Sequence, residues 1–207
     1  MPELGEVKIS LQAQDYDFQQ LPFPVPLKLR GKADFQGEIT GKITTPNVVG
    51  RLGLKNLEVE KFSFEPLLDG NINLVQGQDL TLDLSGKTDR LAANLKTNDN
   101  RNNPSGRFLF KLQQMSVEGK LEGEKLAIEA NNLPLEKLNF NLPDNPLIGK
   151  GSIAGLLTGN LQINYRNLAS RGNIEIIKPQ LARIKGDLFK TEFDYNNNNQ
   201  RTTITNG

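Results

Sequence analysis

The sequence contains no cysteine, no histidine and no tryptophan. Without cysteine there are no disulfide bonds and no thiolate nucleophiles or ligands. Without histidine, the usual zinc sites and every His-based catalytic triad are excluded. The G-x-S-x-G, S-x-x-K and phosphate-loop motifs are missing as well. We therefore predict a protein that is not an enzyme and that carries no cofactor and no metal.

An excess of one charge is also lacking, because 25 lysine and arginine residues face 24 acidic residues. The net charge of such a chain gives no attraction to nucleic acid or to an anionic membrane surface. No apolar run approaches the ~20 residues of a membrane helix. The opening "MPELGEVKIS" contains neither the basic n-region nor the apolar h-region of a signal peptide. Strand-like sequence begins near Met1 and stops in mid-pattern at "TTITNG". We expect an internal fragment of a longer protein.

Glycine, in contrast, is abundant, and most glycines precede a polar residue and then an apolar one. Gly151, Gly155 and Gly159 have the G-x-x-x-G spacing at which membrane helices pack closely. A membrane-spanning window around them would bury Lys150 and Gln162 in hydrocarbon, which is costly. Glycine is also a poor helix former. These glycines are therefore predicted to bend closely spaced strands.

Apolar and polar residues alternate in many short segments. In "LTLDLSG", leucines 80, 82 and 84 oppose threonine, aspartate and serine. The same period of two appears in "VKISLQA", "RFLFKL", "NLQINY" and "GNIEII". Each such strand has one dry face and one wet face, which is typical of antiparallel sheets. The fold class is therefore predicted to be all-β.

Helical signals are scarce and are limited to short turns expected after Pro66 and Pro134. Neither is long enough to cover a sheet, so the dry faces must be buried in another way. The sheet is expected to fold on itself as a sandwich, a barrel or a curved trough whose dry face meets a ligand.

Polar stretches divide the chain. We expect a β-segment over residues 1–96, a polar loop over 97–105, a second β-segment over 106–195, and a polar loop or ragged end over 196–207. The segment "LPFPVPL" at 21–27 has three prolines, which remove donors from a strand ladder, so it should form an edge or an extended connector.

Polar residues form two patterns that are candidates for a binding or catalytic site. Two pairs of carboxylates, Asp15/Asp17 and Glu58/Glu60, have the i, i+2 spacing that places them on one face of a strand. Lys28, Arg30 and Lys32 form a basic stripe that could meet phosphate groups. The interpretation that we favour for both patterns is the solvated face of an alternating strand.

The remaining candidates are the apolar residues of the alternating strands. A ligand trough for flexible chains would be lined by these side chains, whereas an ordinary sandwich core is the other interpretation that periodicity allows. The candidate lining residues are Ile72, Leu74, Leu80, Leu82, Leu84, Phe108, Phe110, Leu112, Leu161, Ile163, Ile174 and Ile176.

The order of the short motifs resembles that of the TamB family, within the AsmA-like group. The resemblance lies in "GEITGKI" followed by "PNVVGRL", in "LPL" before "GSIAGLLTGNL", and in the closing "KPQLARIKGDLF". It covers nearly the whole chain, and its specificity lies in the order of the motifs.

This resemblance implies a fold, a location and a role. The fold would be a β-taco, a long curved sheet with one apolar face that forms an open trough. The chain would be one slice of a protein of the periplasm or intermembrane space that is anchored in the inner membrane, reaches the outer membrane and moves phospholipids between the two. The family is also implicated in outer-membrane protein assembly with an Omp85-type barrel.

Two other hypotheses remain open. A scaffold would receive the strands of client proteins at its sheet edges. A secreted β-helix or adhesin, with sugar as one ligand class, would have a closed dry core. Exposed sheet edges also predict end-to-end self-association of the fragment in concentrated solution.

Overall fold

The structure is a computed structural model that describes residues 6–21, 27–76, 78–97, 104–138, 153–196 and 201–205. The chain is all-β, with 77% of the described residues in strands and 4% in helices. Every pair of neighbouring strands whose register is described runs antiparallel, and the order of the strands is open, not closed on itself. The all-β prediction is confirmed. The chain divides into two compact units, residues 1–113 and 114–207.

The first unit is a meander of adjacent antiparallel strands. Its order is β1-β2-β3-β5-β6-β7-β8, and the short β4 pairs with the end of β3. A 3-10 helix, Phe18–Gln20, follows β1. The strands are β1 Val7–Asp17, β2 Leu29–Lys42, β3 Thr45–Val59, β4 Phe62–Ser63, β5 Leu67–Val75, β6 Asp79–Ser85, β7 Arg90–Lys96 and β8 Ser105–Leu112.

The second unit repeats this organisation in the order β9-β10-β11-β12-β14-β15, with the short β13 paired to the end of β12. A second 3-10 helix, Leu135–Lys137, follows β10. The strands are β9 Met115–Glu122, β10 Lys125–Pro134, β11 Ile153–Asn164, β12 Ser170–Leu181, β13 Ile184–Lys185, β14 Leu188–Asn196 and β15 Arg201–Thr205.

Two local predictions are corrected by the structure. The helical turn expected after Pro66 is wrong, because strand β5 begins at Leu67 and buries Leu68 completely. The polar loop or ragged end expected over 196–207 contains strand β15, whose threonines and isoleucine favour extended backbone. The turn expected after Pro134 is confirmed as the second 3-10 helix. The proline-rich segment and most of the loop at 97–105 lie outside the described residues.

Gly155 and Gly159 of the glycine series lie on a strand, and Gly151 lies outside the described residues. Residues 153–164 form β11, which excludes a helix over these residues. Gly155 has φ +129°, a value that favours glycine, and the register of β11 against β12 shifts at this residue. At Gly159, a Cβ would come within 2.3 Å of the Asn173 carbonyl oxygen on β12. The two glycines thus provide a bulge and a close strand approach.

Helices contribute almost nothing to the burial of the strands. The two described helices have three residues each, which is too short to cover a sheet. No helix in the described part of the chain is long and apolar enough to cross a membrane. Burial must therefore come from the strands and their connections.

Candidate functional site

The polar pairs singled out in the sequence have structural partners. Asp15 has φ +52° at a register shift of β1, and its carboxylate lies 3.0 Å from the Lys55 ammonium. Asp17 caps the first 3-10 helix by accepting a hydrogen bond from the Gln19 N–H. Glu60 accepts a hydrogen bond from the Lys28 N–H at 2.8 Å. These contacts hold turns and strand ends together.

The basic stripe is interrupted in the same way. The register of β2 against β3 shifts between Arg30 and Lys32, and Arg30 lies 3.7 Å from Glu58. In the described residues there is no group of three acidic side chains placed to hold a metal ion. The contacts described for these polar candidates are ion pairs and hydrogen bonds to neighbouring strands and turns.

The apolar candidates of the first unit lie on one face of the meander. Residues that pair across antiparallel strands share a face, so the register defines rows that run across the strands. Two of these rows, which we call the open rows, are Ile9–Ile39–Val48–Leu74–Leu80–Leu95–Gly106 and Leu11–Gly37–Gly50–Ile72–Leu82–Ala93–Phe108. The next row, which we call the closed row, is Ala13–Phe35–Leu52–Gly70–Leu84–Leu91–Phe110.

Exposure differs between these rows. Leu95 and Phe108 in the open rows are 37% and 36% exposed, and Ile9 and Leu11 at the β1 end are exposed as well. Leu84 in the closed row is completely buried. The apolar face of the first unit therefore has a closed side and a half-exposed side.

The closed side is a hydrophobic core. Its buried members are Leu54, Leu57, Phe64, Leu68 and Leu84. The Phe110 ring packs edge-to-face on Phe62 and Phe64, with centroids 5.6 and 4.9 Å apart. Because Leu84 belongs to this core and Phe110 packs against it, these two predicted lining residues are core residues here. Leu82 and Leu112 also contact the core.

Two carboxylates hold the connection that carries Phe64. The buried Asp89 accepts hydrogen bonds from the N–H groups of Glu65 and Gln113, at 2.8 and 2.9 Å. The Glu65 carboxylate in turn accepts from the N–H of Lys87 and from the hydroxyl of Thr88. We call this network the Glu65–Asp89 clasp. It joins the segment before β5 to the turn between β6 and β7.

The opposite face of the first unit is polar and carries ion pairs. Arg51 donates hydrogen bonds to Asp69, and this contact lowers the pKa of Asp69 below its ordinary value. Arg90 likewise bonds Asp83 at 2.8 Å and lowers the pKa of that carboxyl. The two faces of the strands therefore differ sharply in chemistry.

The second unit has an apolar face of the same kind. Its predicted residues have apolar or glycine partners on neighbouring strands, since Ile163 pairs with Leu126 and Leu161 with Ile128. Ile174 pairs with Gly159 and Ile176 with Leu157. All four predicted side chains are half-buried, and Met115, Ala130 and Leu135 are the buried hydrophobic residues among the described part of this unit.

Among the described residues of the second unit, two pockets are bordered by predicted lining residues, namely Ile163 and Ile176. One, of about 460 Å³, is bordered by Ile163 and Leu126 together with lysines and carboxylates, including the ion pair between Lys120 and Glu122. The other, of about 420 Å³, lies at the hairpin of β12 and β13 and is lined mainly by apolar side chains. We call the second one the hairpin pocket.

Several lining residues were missed in the sequence. Phe35 lies over glycines, because a Cβ at Gly37 or Gly50 would come within 2.7 Å of its ring. In its strand, "GKADFQGEI", apolar and polar residues alternate less clearly than in "LTLDLSG" or "GNIEII". Leu95 was missed because the segment "RLAANLK" has alanines on both faces. Cross-strand register, which a single segment does not contain, identifies both residues.

Comparison with known proteins adds no identification. No protein-family profile, no curated protein and no solved structure matches this chain.

Proposed function

We propose that this chain shields lipid acyl chains on its apolar strand faces, as one segment of an envelope-spanning protein that moves phospholipids between membranes. The observation that carries the proposal is the pair of open rows. They cross the seven paired strands of the first unit, remain half-exposed on the β7 and β8 side, and have no described helix over them. The proposed activity is binding and requires no catalytic group.

The physical need for such a surface is large. Exposing an acyl chain to water costs roughly 0.8 kcal/mol per CH₂, or about 12 kcal/mol for sixteen carbons. Seven strands spaced ~4.8 Å apart give rows about 29 Å long. A chain that lies along these rows keeps apolar contacts while its headgroup stays in water.

The polar face supports the same arrangement. On that face Arg51 pairs with Asp69, and Arg90 pairs with Asp83. These charged side chains are suited to contact with water. Val49, Leu67 and Val75 are also exposed on that face, but each pairs with polar residues across the strands and none belongs to an apolar row. The apolar rows are thus the side of each strand on which a lipid is expected.

The wider context of the proposal rests on the TamB resemblance. It places the segment in the periplasm or intermembrane space, within a protein anchored in the inner membrane, and its trough would be the β-taco of that family. The partners are phospholipid acyl chains and, through the whole protein, an Omp85-type barrel.

Photocrosslinking with neighbouring residues tests the proposal. A photoreactive amino acid replaces Phe108 on the apolar face or Arg107 on the polar face, and the pair Ile174 and Glu175 repeats the test in the second unit. After incubation with phospholipid vesicles, mass analysis should find lipid attached at 108 and 174 but not at 107 and 175. Equal labelling of both faces, or lipid at none of the positions, would overturn the proposal.

A second function, a scaffold for outer-membrane protein assembly by strand addition, is favoured by one feature. Strand β1 has 11 residues, stands at one end of the strand order and pairs only with β2 among the described strands. Its other edge presents N–H and C=O groups to a further strand. Crosslinks from β1 to a client strand, without lipid on the apolar rows, would favour this function over lipid shielding.

A further inference from the structure

The hairpin pocket exists because strand β12 changes its partner. From Ser170 to Ile177, β12 pairs with β14, whereas Gln180 and Leu181 pair with β13. Lys178, between these two stretches, has φ +51°. The β12–β13 hairpin thereby departs from the β12–β14 pairing, and a pocket of about 420 Å³ remains beside it.

Apolar side chains dominate this pocket. Leu135 at the start of the second 3-10 helix is buried, whereas Ile184 and Leu188 are 59% and 53% exposed. Leu181 and Phe189 are exposed as well. All five line the pocket. So many exposed large apolar residues around one pocket point to an apolar ligand.

The charges around the pocket have mainly one sign. Lys185 lines the pocket and is exposed, and no carboxylate is found among the described lining residues. The same hairpin region also carries Lys178 and Arg183, against the single acid Asp187. An apolar pocket with an ammonium group at its border complements a molecule that has an apolar tail and a negative head.

We propose that the hairpin pocket binds an acyl chain of an anionic phospholipid, with the headgroup phosphate at Lys185. This inference rests on the proposed function and adds to it a place and a preference for headgroup charge. A zwitterionic lipid fills the pocket equally well with its chain, but the positive part of its headgroup opposes the ion pair. The preference therefore comes from Lys185.

The lack of cysteine allows a site-specific test in the whole chain. An Ile184→Cys variant carries a solvent-sensitive fluorophore at the pocket, and a Leu95→Cys variant carries it on the open rows of the first unit. Lysophosphatidylglycerol and lysophosphatidylcholine of one chain length are titrated below their micelle concentrations. The label at 184 should report about fivefold tighter binding of the anionic lipid, as one exposed ion pair provides. The label at 95 should report similar affinities for both.

Charge variants identify the source of the preference. Lys185→Gln should remove it and Lys185→Glu should remove or reverse it, while Lys42→Glu, at an exposed position in the first unit, should leave it unchanged. Circular dichroism checks that each variant keeps its strands. When Lys185 is kept, high salt should weaken the preference for the anionic lipid, because exposed ion pairs are screened.

The possible failures are distinguishable. Equal affinities of the two lipids at 184 would overturn the role of Lys185. A response at 95 without a response at 184 would overturn the pocket and leave the proposed function standing. No response at either label would remove the proposed function together with this inference.

Discussion

The two units use the same strand pattern but bury their apolar faces to different degrees. The first unit has a cluster of five buried apolar residues, with Leu68 and Leu84 completely buried. In the second unit the residues at the centre of the apolar face, such as Leu161 and Ile174, are only half-buried. Alternation alone therefore does not determine how dry a dry face becomes.

The connections between strands account for part of this difference. In the first unit, the segment after β3 carries Phe62 and Phe64, which pack against Phe110 on β8. In the second unit, the connection between β11 and β12 carries Tyr165 and Leu168, and both are exposed. Apolar side chains in connections provide a second layer only where the chain folds them back over the strands.

The composition of the rows accounts for another part. Glycines occur in the rows of both units, but on the apolar face of the second unit the polar residues Ser170, Thr191 and Thr202 also occupy positions in the cross-strand rows. Polar residues bury less apolar area than leucine or phenylalanine. The apolar face of this unit is correspondingly less able to form a core by itself.

The largest expected effect comes from removing a core side chain of the first unit. Leu68→Ala should lower the free energy of unfolding by about 3–5 kcal/mol, because it leaves a cavity at a fully buried position. The matched Ile174→Ala in the second unit should cost about 1 kcal/mol, since this side chain is half-buried. Denaturant unfolding followed by circular dichroism measures both. Similar losses would contradict the contrast between the units.

A smaller effect is expected from the Glu65–Asp89 clasp. Asp89→Asn keeps the size of the side chain but replaces one acceptor oxygen by an NH₂ group, which faces N–H donors. The change should destabilise the first unit by about 1–3 kcal/mol. Asp194→Asn, at an exposed position of the second unit, is the control and should have little effect. Hydrogen exchange of the β5 and β7 amides should quicken only in Asp89→Asn.

The smallest expected effect is a loss of stability of the first unit at acidic pH. The pKa values of Asp69 and Asp83 lie below the ordinary 3.8 in the folded chain, because Arg51 and Arg90 bond them. The unfolded chain binds protons more readily, so these pairs stabilise the fold above pH 3.8 and lose this effect as the pH falls through that value and below. Unfolding at several pH values should show the loss. The double variant Asp69→Asn/Asp83→Asn should weaken it, and an unchanged slope would contradict this assignment.

Much of the fold could be predicted from local sequence. Alternation predicted the strands over "LTLDLSG" and "GNIEII", and the scarcity of helices predicted the all-β class. The helical turn after Pro66 was wrong because a local signal was outweighed by the burial of Leu68 in the core. Strand β15 was assigned to a polar loop or ragged end, although "TTITNG" has a strand-like pattern, because the asparagine-rich stretch before it dominates the composition of the segment.

The candidate site was predictable to a lesser extent. The twelve apolar residues lie on strands, as expected, but Leu84 belongs to a packed core and Leu95 was overlooked. Whether a leucine lies under Phe64 or borders an open row depends on residues far away along the chain. A period of two contains no information on such distant partners.

The sequence by itself determined the strands and their two faces, because these depend on residue type and on neighbours one or two positions apart. It also excluded the chemistry of cysteine and histidine, because neither residue is present. Tertiary structure alone decided the register, the side on which the first unit forms its core, and the hairpin pocket. These depend on pairing between distant strands and on connections folding back over a face. Their energies arise from contacts that no short segment contains.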